Sequence, residues 1–357
     1  MTIEWLAGNR ITGTSTERTS TTGFNTVTAV AGGWVEVGRF TAGSTVTSMP
    51  VTSIPDKRYY MYLSDYTASA DKQIIQFNSD TGSNYNFRQS TNGGTDGTEI
   101  NKTQILGGYG GSGLYEFAVG YFSNLSTKEK LAIIHSNSFG AAGAGTAPNR
   151  REIVGKWANT SNAISSADFK PETGNFASGA EVVVLGWDPA DTHTSNFWEE
   201  LASVELGGTA TNLSSGTITA KKYLWIQAYL KPTGGAVTHR LSFNNDGGTN
   251  YSDRYSSNGG SDSTNTSGVN WNLSGGITAS SLPSFHNYFV INNSANEKLV
   301  TGNNIFQSTA GAGNAPERME FTGKWANTSS QITEIDFDAD GGNSFAATSI
   351  IKVYGSN

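Results

Sequence analysis

Four histidines, His135, His193, His239 and His286, and the acidic side chains are the chain's general acids and bases. No Gly-x-Ser-x-Gly elbow, His-Glu-x-x-His helix, phosphate loop or dinucleotide fingerprint arranges them. Cysteine is absent, which removes thiol nucleophiles, disulfides and zinc–thiolate sites. A glycosidase needs only two carboxylates close in space, so spacing alone leaves that chemistry open. With every other motif missing, the expectation is a protein that is not an enzyme and carries no cofactor.

The remaining candidates come in twins. Residues 142–161 read AGAGTAPNRREIVGKWANTS and residues 310–329 read AGAGNAPERMEFTGKWANTS. Residues 77–96, FNSDTGSNYNFRQSTNGGTD, match 243–262, FNNDGGTNYSDRYSSNGGSD, also without a gap. Trp157 and Trp325 therefore have two readings, as stacking platforms for sugar rings or as core anchors. Tryptophan's large burial favours the anchor. Tyr85, Tyr251, Arg88 and Arg254 complete the candidate ligand-binding set. Asp80 and Asp246, with Asn78, Asn84, Asn244 and Asn250, form oxygen-rich turns. Calcium takes six to eight oxygen ligands and each turn supplies few carboxylates, so they are weak metal candidates. An Asx turn joining two hairpin strands, with Gly82 and Gly248 at the tight position, explains the same residues. Arg88 with Asp96, Arg254 with Asp262, and the pairs Arg150/Glu152 and Arg318/Glu320 read as cross-strand ion pairs or subunit contacts. The AGAG loops, ending in Pro148 and Pro316, suit close approach by a neighbouring loop or subunit. The histidines do not align between the copies.

These twins must be positioned by a duplicated domain. Lys57-Arg58-Tyr59 pairs with Lys221-Lys222-Tyr223, Glu129-Lys130-Leu131 with Glu297-Lys298-Leu299, and Asp168-Phe169 with Asp336-Phe337, in the same order. So long a period marks a repeated domain rather than a solenoid unit. Runs rich in β-branched and aromatic residues recur at 34–40, 58–64, 72–78, 115–122, 131–138 and 181–186. Matching runs follow at 223–230, 239–245, 287–293 and 350–355, separated by Gly/Asn/Asp turns. The expected fold is all-β: two tandem antiparallel β-sandwiches, jelly-roll-like, at 34–187 and 198–357. Residues 188–197 are a short linker holding the modules close. Residues 1–33 are an arm for docking or assembly, with Trp5, Arg10 and Arg18 as its contact residues.

Hydrophobic residues make up 36% and charged residues 15% of the chain, yet 8 Trp, 14 Tyr and 17 Phe argue for folded cores over disorder. A net charge of −7 without a basic cluster speaks against nucleic acid as a partner. No apolar run approaches the roughly 18 residues of a membrane span, so no membrane partner is expected. No basic stretch leads into an apolar run at the N-terminus, so no secretory leader is predicted. A protein working outside the cell would then leave by lysis or another non-secretory route.

The segments WLAGNRITGTSTERT, FNNDGGTNYSDRYSSNGG and AGAGNAPERMEFTGKWANTS resemble a family of uncharacterised virion-associated β-sandwich proteins of tailed viruses, marine ones especially. With the duplicated copies the resemblance spans most of the chain. It implies a virion location and a structural role on the particle surface, as capsid decoration, head fibre or tail-associated appendage. The implied partners are other copies of the chain and other virion proteins. The alternatives are recognition of host surface glycans and, behind it, polysaccharide depolymerisation. The resemblance carries over no catalytic residue.

Overall fold

The computed structural model describes residues 33–69, 72–191, 195–234, 237–273, 282–307 and 309–357. The expected contacts of Trp5, Arg10 and Arg18 lie outside the described residues, as does His193.

Among the described residues every regular element is a strand. The first module contains β1 (Val35–Thr41), β2 (Met49–Val51), β3 (Tyr59–Thr67), β4 (Gln73–Phe77), β5 (Tyr85–Thr91), β6 (Gly97–Lys102), β7 (Ile105–Leu106), β8 (Tyr115–Ser123), β9 (Lys130–Ser138), β10 (Asn149–Trp157), β11 (Ala167–Pro171) and β12 (Glu181–Trp187). The second contains β13 (Glu199–Glu205), β14 (Asn212–Ser214), β15 (Tyr223–Leu230), β16 (His239–Phe243), β17 (Tyr251–Ser257), β18 (Ser263–Gly268), β19 (Trp271–Asn272), β20 (Ser284–Ile291), β21 (Lys298–Phe306), β22 (Glu317–Trp325), β23 (Ile335–Ala339) and β24 (Ile350–Ser356).

Both modules are wired alike. An eight-stranded sheet runs β1-β12-β3-β8-β9-β10-β5-β6 in the first and β13-β24-β15-β20-β21-β22-β17-β18 in the second. A four-stranded sheet, β2-β11-β4-β7 or β14-β23-β16-β19, covers one face of each. All pairings are antiparallel. The chain is thus all-β, two tandem sandwiches. Each core lies between the large and small sheets, as the period of two along β3 dictates: Tyr60 and Tyr62 point into the core, Met61 and Leu63 to the opposite face.

The edge pairings of the large sheets are irregular. Register shifts fall at Glu36/Gly38 and Tyr85/Phe87 in the first module, and at Glu200/Ala202 and Tyr251/Asp253 in the second.

The FNxDxGxNY turns overturn one expectation. β4 belongs to the small sheet and β5 to the large one, so the turn crosses the sandwich edge instead of closing a hairpin. Its left-handed residues are Asn78 and Ser79, and Asn244 and Asn245 in the second copy; Gly82 and Gly248 are not among them. Glycine is needed there for space, since a Cβ on Gly82 would lie 2.8 Å from Asn84 Nδ2. The NGG turns do close hairpins. Asn92 and Gly93 both have positive φ, as do Asn258 and Gly259, and each pair turns the chain at the start of a five-residue loop, with Gly94 N donating to Thr91 O and Gly260 N to Ser257 O.

Candidate functional site

Trp157 ends β10 and Trp325 ends β22, and both side chains are fully buried. Trp157 Nε1 donates to Asp80 Oδ2 at 2.7 Å, and Trp325 Nε1 to Asp246 Oδ2 at 2.7 Å. Asp80 also accepts from Gly82 N and from Asn84 Nδ2, and Asp246 from Gly248 N and Asn250 Nδ2. Burial works against the charge on both carboxyls, and these donors outweigh it, holding them below the usual aspartate range. Tyr85 and Tyr251 are buried beside the tryptophans, and their hydroxyls accept from Phe77 N and Phe243 N. This corrects the binding-site expectation. Trp157, Trp325, Tyr85 and Tyr251 are core posts with no ring face open to a sugar. Asp80 and Asp246 have oxygens already taken by protein donors, and no cluster of three metal-ligating His or carboxylate groups occurs among the described residues.

Where chemistry-bearing side chains do converge is between the modules. The outer faces of the large sheets meet in a third apolar core that includes Met61, Leu63, Phe117, Tyr223, Phe289 and Leu299. Phe197 and Trp198 join it, so the end of the expected linker is part of this core. Polar groups pin its edges. Tyr223 hydroxyl lies 3.0 Å from Asp65 Oδ1 and 2.9 Å from Glu181 Oε1, and Lys222 Nζ lies 2.9 and 3.0 Å from the same oxygens. Asn137 Nδ2 donates to Val300 O at 2.8 Å.

Arg150 is the centre of a second cluster, and it joins strands of both modules. Its guanidinium takes Asp262 in a two-pronged pair at 2.6 and 3.0 Å, also bonds Glu152, and lies 3.7 Å from Glu320. Arg318 holds Glu320 at 2.5 Å. Burial, together with nearby Glu152, raises Glu320, and burial lowers His135. His135, Glu152, Arg318 and Glu320, with Arg88 and Asp96 at 3.3 Å, line a cleft of about 330 Å³. Every acid here has a cationic partner, so the cluster works as an ion-pair clamp. Arg254 contributes as well, through Nε to Pro148 O at 2.8 Å and an ion pair with Asp262 at 3.7 Å.

The first AGAG loop completes the contact. Lys324 Nζ reaches Phe139 O and Ala141 O at 2.8 and 2.6 Å. Ser267 N donates to Ala144 O, Ser252 Oγ to Thr146 O, and Gly143 N to Glu297. Close approach at a small-residue loop was readable in the sequence; that only the first copy is covered was not. Residues 311–316 are exposed.

Sequence reasoning also missed a polar plug in each core. In the first module Glu116 accepts from Tyr66 hydroxyl at 2.6 Å and from Gly110 N, and burial pushes it up to about 7. In the second the matching position is Ser284, 2.9 Å from His286 Nε2 and 3.1 Å from His239 Nδ1. Burial pushes His239 down to about 4. Ser284 and both imidazoles are buried among Phe306, Phe337 and Phe345, which leaves no path for a substrate.

An open cleft of about 340 Å³ lies on the first module's outer face, lined by Trp34, Tyr59, Tyr121, Leu131, Ile133 and Trp187 and almost wholly apolar.

No protein-family model matches this sequence, and no curated protein does. Among solved structures, it has a faint likeness to the flagellar hook junction protein FlgK from Burkholderia pseudomallei. The identity is 11% and the TM-score 0.12, over 87% of this chain and 44% of that one. A likeness that weak supports no statement about fold or role.

Proposed function

We propose that this protein is a non-enzymatic structural component of a virion surface: a capsid decoration, head fibre or tail-associated appendage. The observation that carries the reading is the ion-paired and apolar inter-module contact. The arginine, lysine and carboxylate side chains that could have served a ligand or a reaction instead clamp two sandwiches into one body. The resemblance of the repeat segments to virion-associated proteins supplies the viral context, and other virion proteins and copies of the chain are its partners in this reading. The carbohydrate-recognition alternative loses its named platforms, because Trp157 and Trp325 face the cores. The test is mass spectrometry and immunogold labelling of gradient-purified particles. A fixed copy number per particle with surface labelling supports the proposal. Confinement to the particle-free fraction, or cleavage of surface polysaccharide by the purified chain, overturns it.

A further inference from the structure

The inter-module contact joins two different faces of the same module. The second module presents a docking face that includes Tyr223, Leu299, Thr301, Thr322 and Lys324, all buried. The first module presents a receiving face made by Asp65, Phe117, Asn137 and the loop 139–148. A two-fold contact would repeat the Asn137–Val300 approach between Ile305 and Ala132. Ile305 is instead 48% exposed. The contact is therefore head-to-tail, and such contacts leave one unused copy of each face.

The unused copies are open and matched. Tyr59 corresponds to Tyr223, Leu131 to Leu299, Ile133 to Thr301 and Val154 to Thr322, as β3/β8 and β9/β10 register requires. All four first-module side chains are exposed, Leu131 by 57%, where their counterparts are buried. On the second module Tyr229 corresponds to Asp65, Phe285 to Phe117 and Ile305 to Asn137, again exposed against buried. Both unused faces are thus more apolar than the pair already joined. Exposed apolar groups cluster on interaction surfaces.

Charge agrees. The internal clamp joins Arg150 to Asp262; the corresponding Arg318 and Asp96, side chains 61% and 50% exposed, are held by Glu320 and Arg88 of their own modules and line the cleft between the modules. Lys156 and Glu129, counterparts of Lys324 and Glu297, are paired with each other at 2.9 Å on the open docking face. The second AGAG loop, exposed at 311–316, is the counterpart of the loop that Lys324 and Glu297 hold.

We propose that the first module's docking face binds the second module's receiving face of another copy of this chain, repeating the internal contact head-to-tail. Tyr59 then meets Phe285 of the next copy as Tyr223 meets Phe117, whose ring centroids lie 6.5 Å apart. Asp96 takes Arg318, and the AGAGNAP loop lies across the first module's β5, β6 and β10. The product is a ring or an open filament according to whether the rotation closes. This stands apart from any particle location.

The test uses the full chain in sedimentation velocity from about 1 to 300 µM. Wild type is expected to form species larger than a dimer as concentration rises. Leu131→Lys spoils only the docking face and Phe285→Lys only the receiving face. Each is expected to be monomeric alone, with an unchanged melting temperature because both side chains are exposed. Mixed one to one, the two variants regain a single dimer and nothing larger, through the intact face of each. A wild type that stays monomeric overturns the proposal, whether a sugar, the chain's first residues or nothing covers Tyr59. So do single variants that assemble like wild type, or a mixture that stays monomeric.

Discussion

The inward and outward sides of the two large sheets have had different fates. Inward, the twins kept the same contacts: Trp157 on Asp80 and Trp325 on Asp246, with Tyr85 and Tyr251 beside them. Outward, counterpart positions hold unlike residues, Asp65 against Tyr229 and Ile133 against Thr301. A core meets the same neighbours in both modules, whereas an outer face meets the partner module in one copy and not in the other. Duplicated residues that stay alike therefore mark architecture, and those that part on the outer faces mark a contact made once.

The largest expected effect probes the alike side. Trp157→Ala and Trp325→Ala should each cost about 3–5 kcal/mol, chiefly through the lost aromatic volume, with the Nε1–carboxylate bond lost beside it. Urea unfolding measures both, and a difference between them well beyond their own error breaks the equivalence of the cores.

An inward position where the modules differ comes next. Asp253, counterpart of Phe87, is buried and pushed up to about 7, chiefly by desolvation and against the pull of Asn265. A raised carboxyl contributes stability that is complete below its unfolded value of 3.8 and is lost as pH climbs to about 7. At about 1.4 kcal/mol per unit the loss is on the order of 4 kcal/mol. Asp253→Asn should flatten this part of the melting-temperature profile and melt higher than wild type at pH 8. An unchanged slope would assign the pH dependence elsewhere.

The outward side is sharpened by matched pairs. Asp262→Ala takes the two-pronged partner from the buried Arg150 guanidinium, leaving it Glu152 and the more distant Glu320, and should cost about 3 kcal/mol, whereas Asp96→Ala, at an exposed pair, should cost under about 0.5 kcal/mol. Calorimetry on both variants decides it, equal costs erasing the distinction. Smaller still, Lys324→Met leaves the Ala141 carbonyl without its donor and the Phe139 carbonyl with only Ala141 N, at about 1–3 kcal/mol. Lys156→Met should be nearly neutral in the same measurement.

The duplication, the strand-rich class and the anchoring of Trp157 were legible because period, pattern and side-chain size act locally along the chain. The crossing of the Asp80 turn from one sheet to the other was not, since a strand's sheet is set by partners distant in sequence: β4 pairs with β11 and β7. Nor was the role of Arg150. Its spacing from Glu152 suggested a local pair, but its main partner, Asp262, lies in the other module. The only signal in the sequence was that both members of the pair recur in each copy.

The four register shifts, one at each outermost pairing of the large sheets, have a consequence for crowding. A bulge twists an edge strand and breaks the even row of amide and carbonyl groups that another strand could extend. Chains at high local density are thereby steered away from cross-β aggregation. In the proposed head-to-tail assembly, growth is left to the side-chain faces, which would select a partner by shape and charge and release it when diluted.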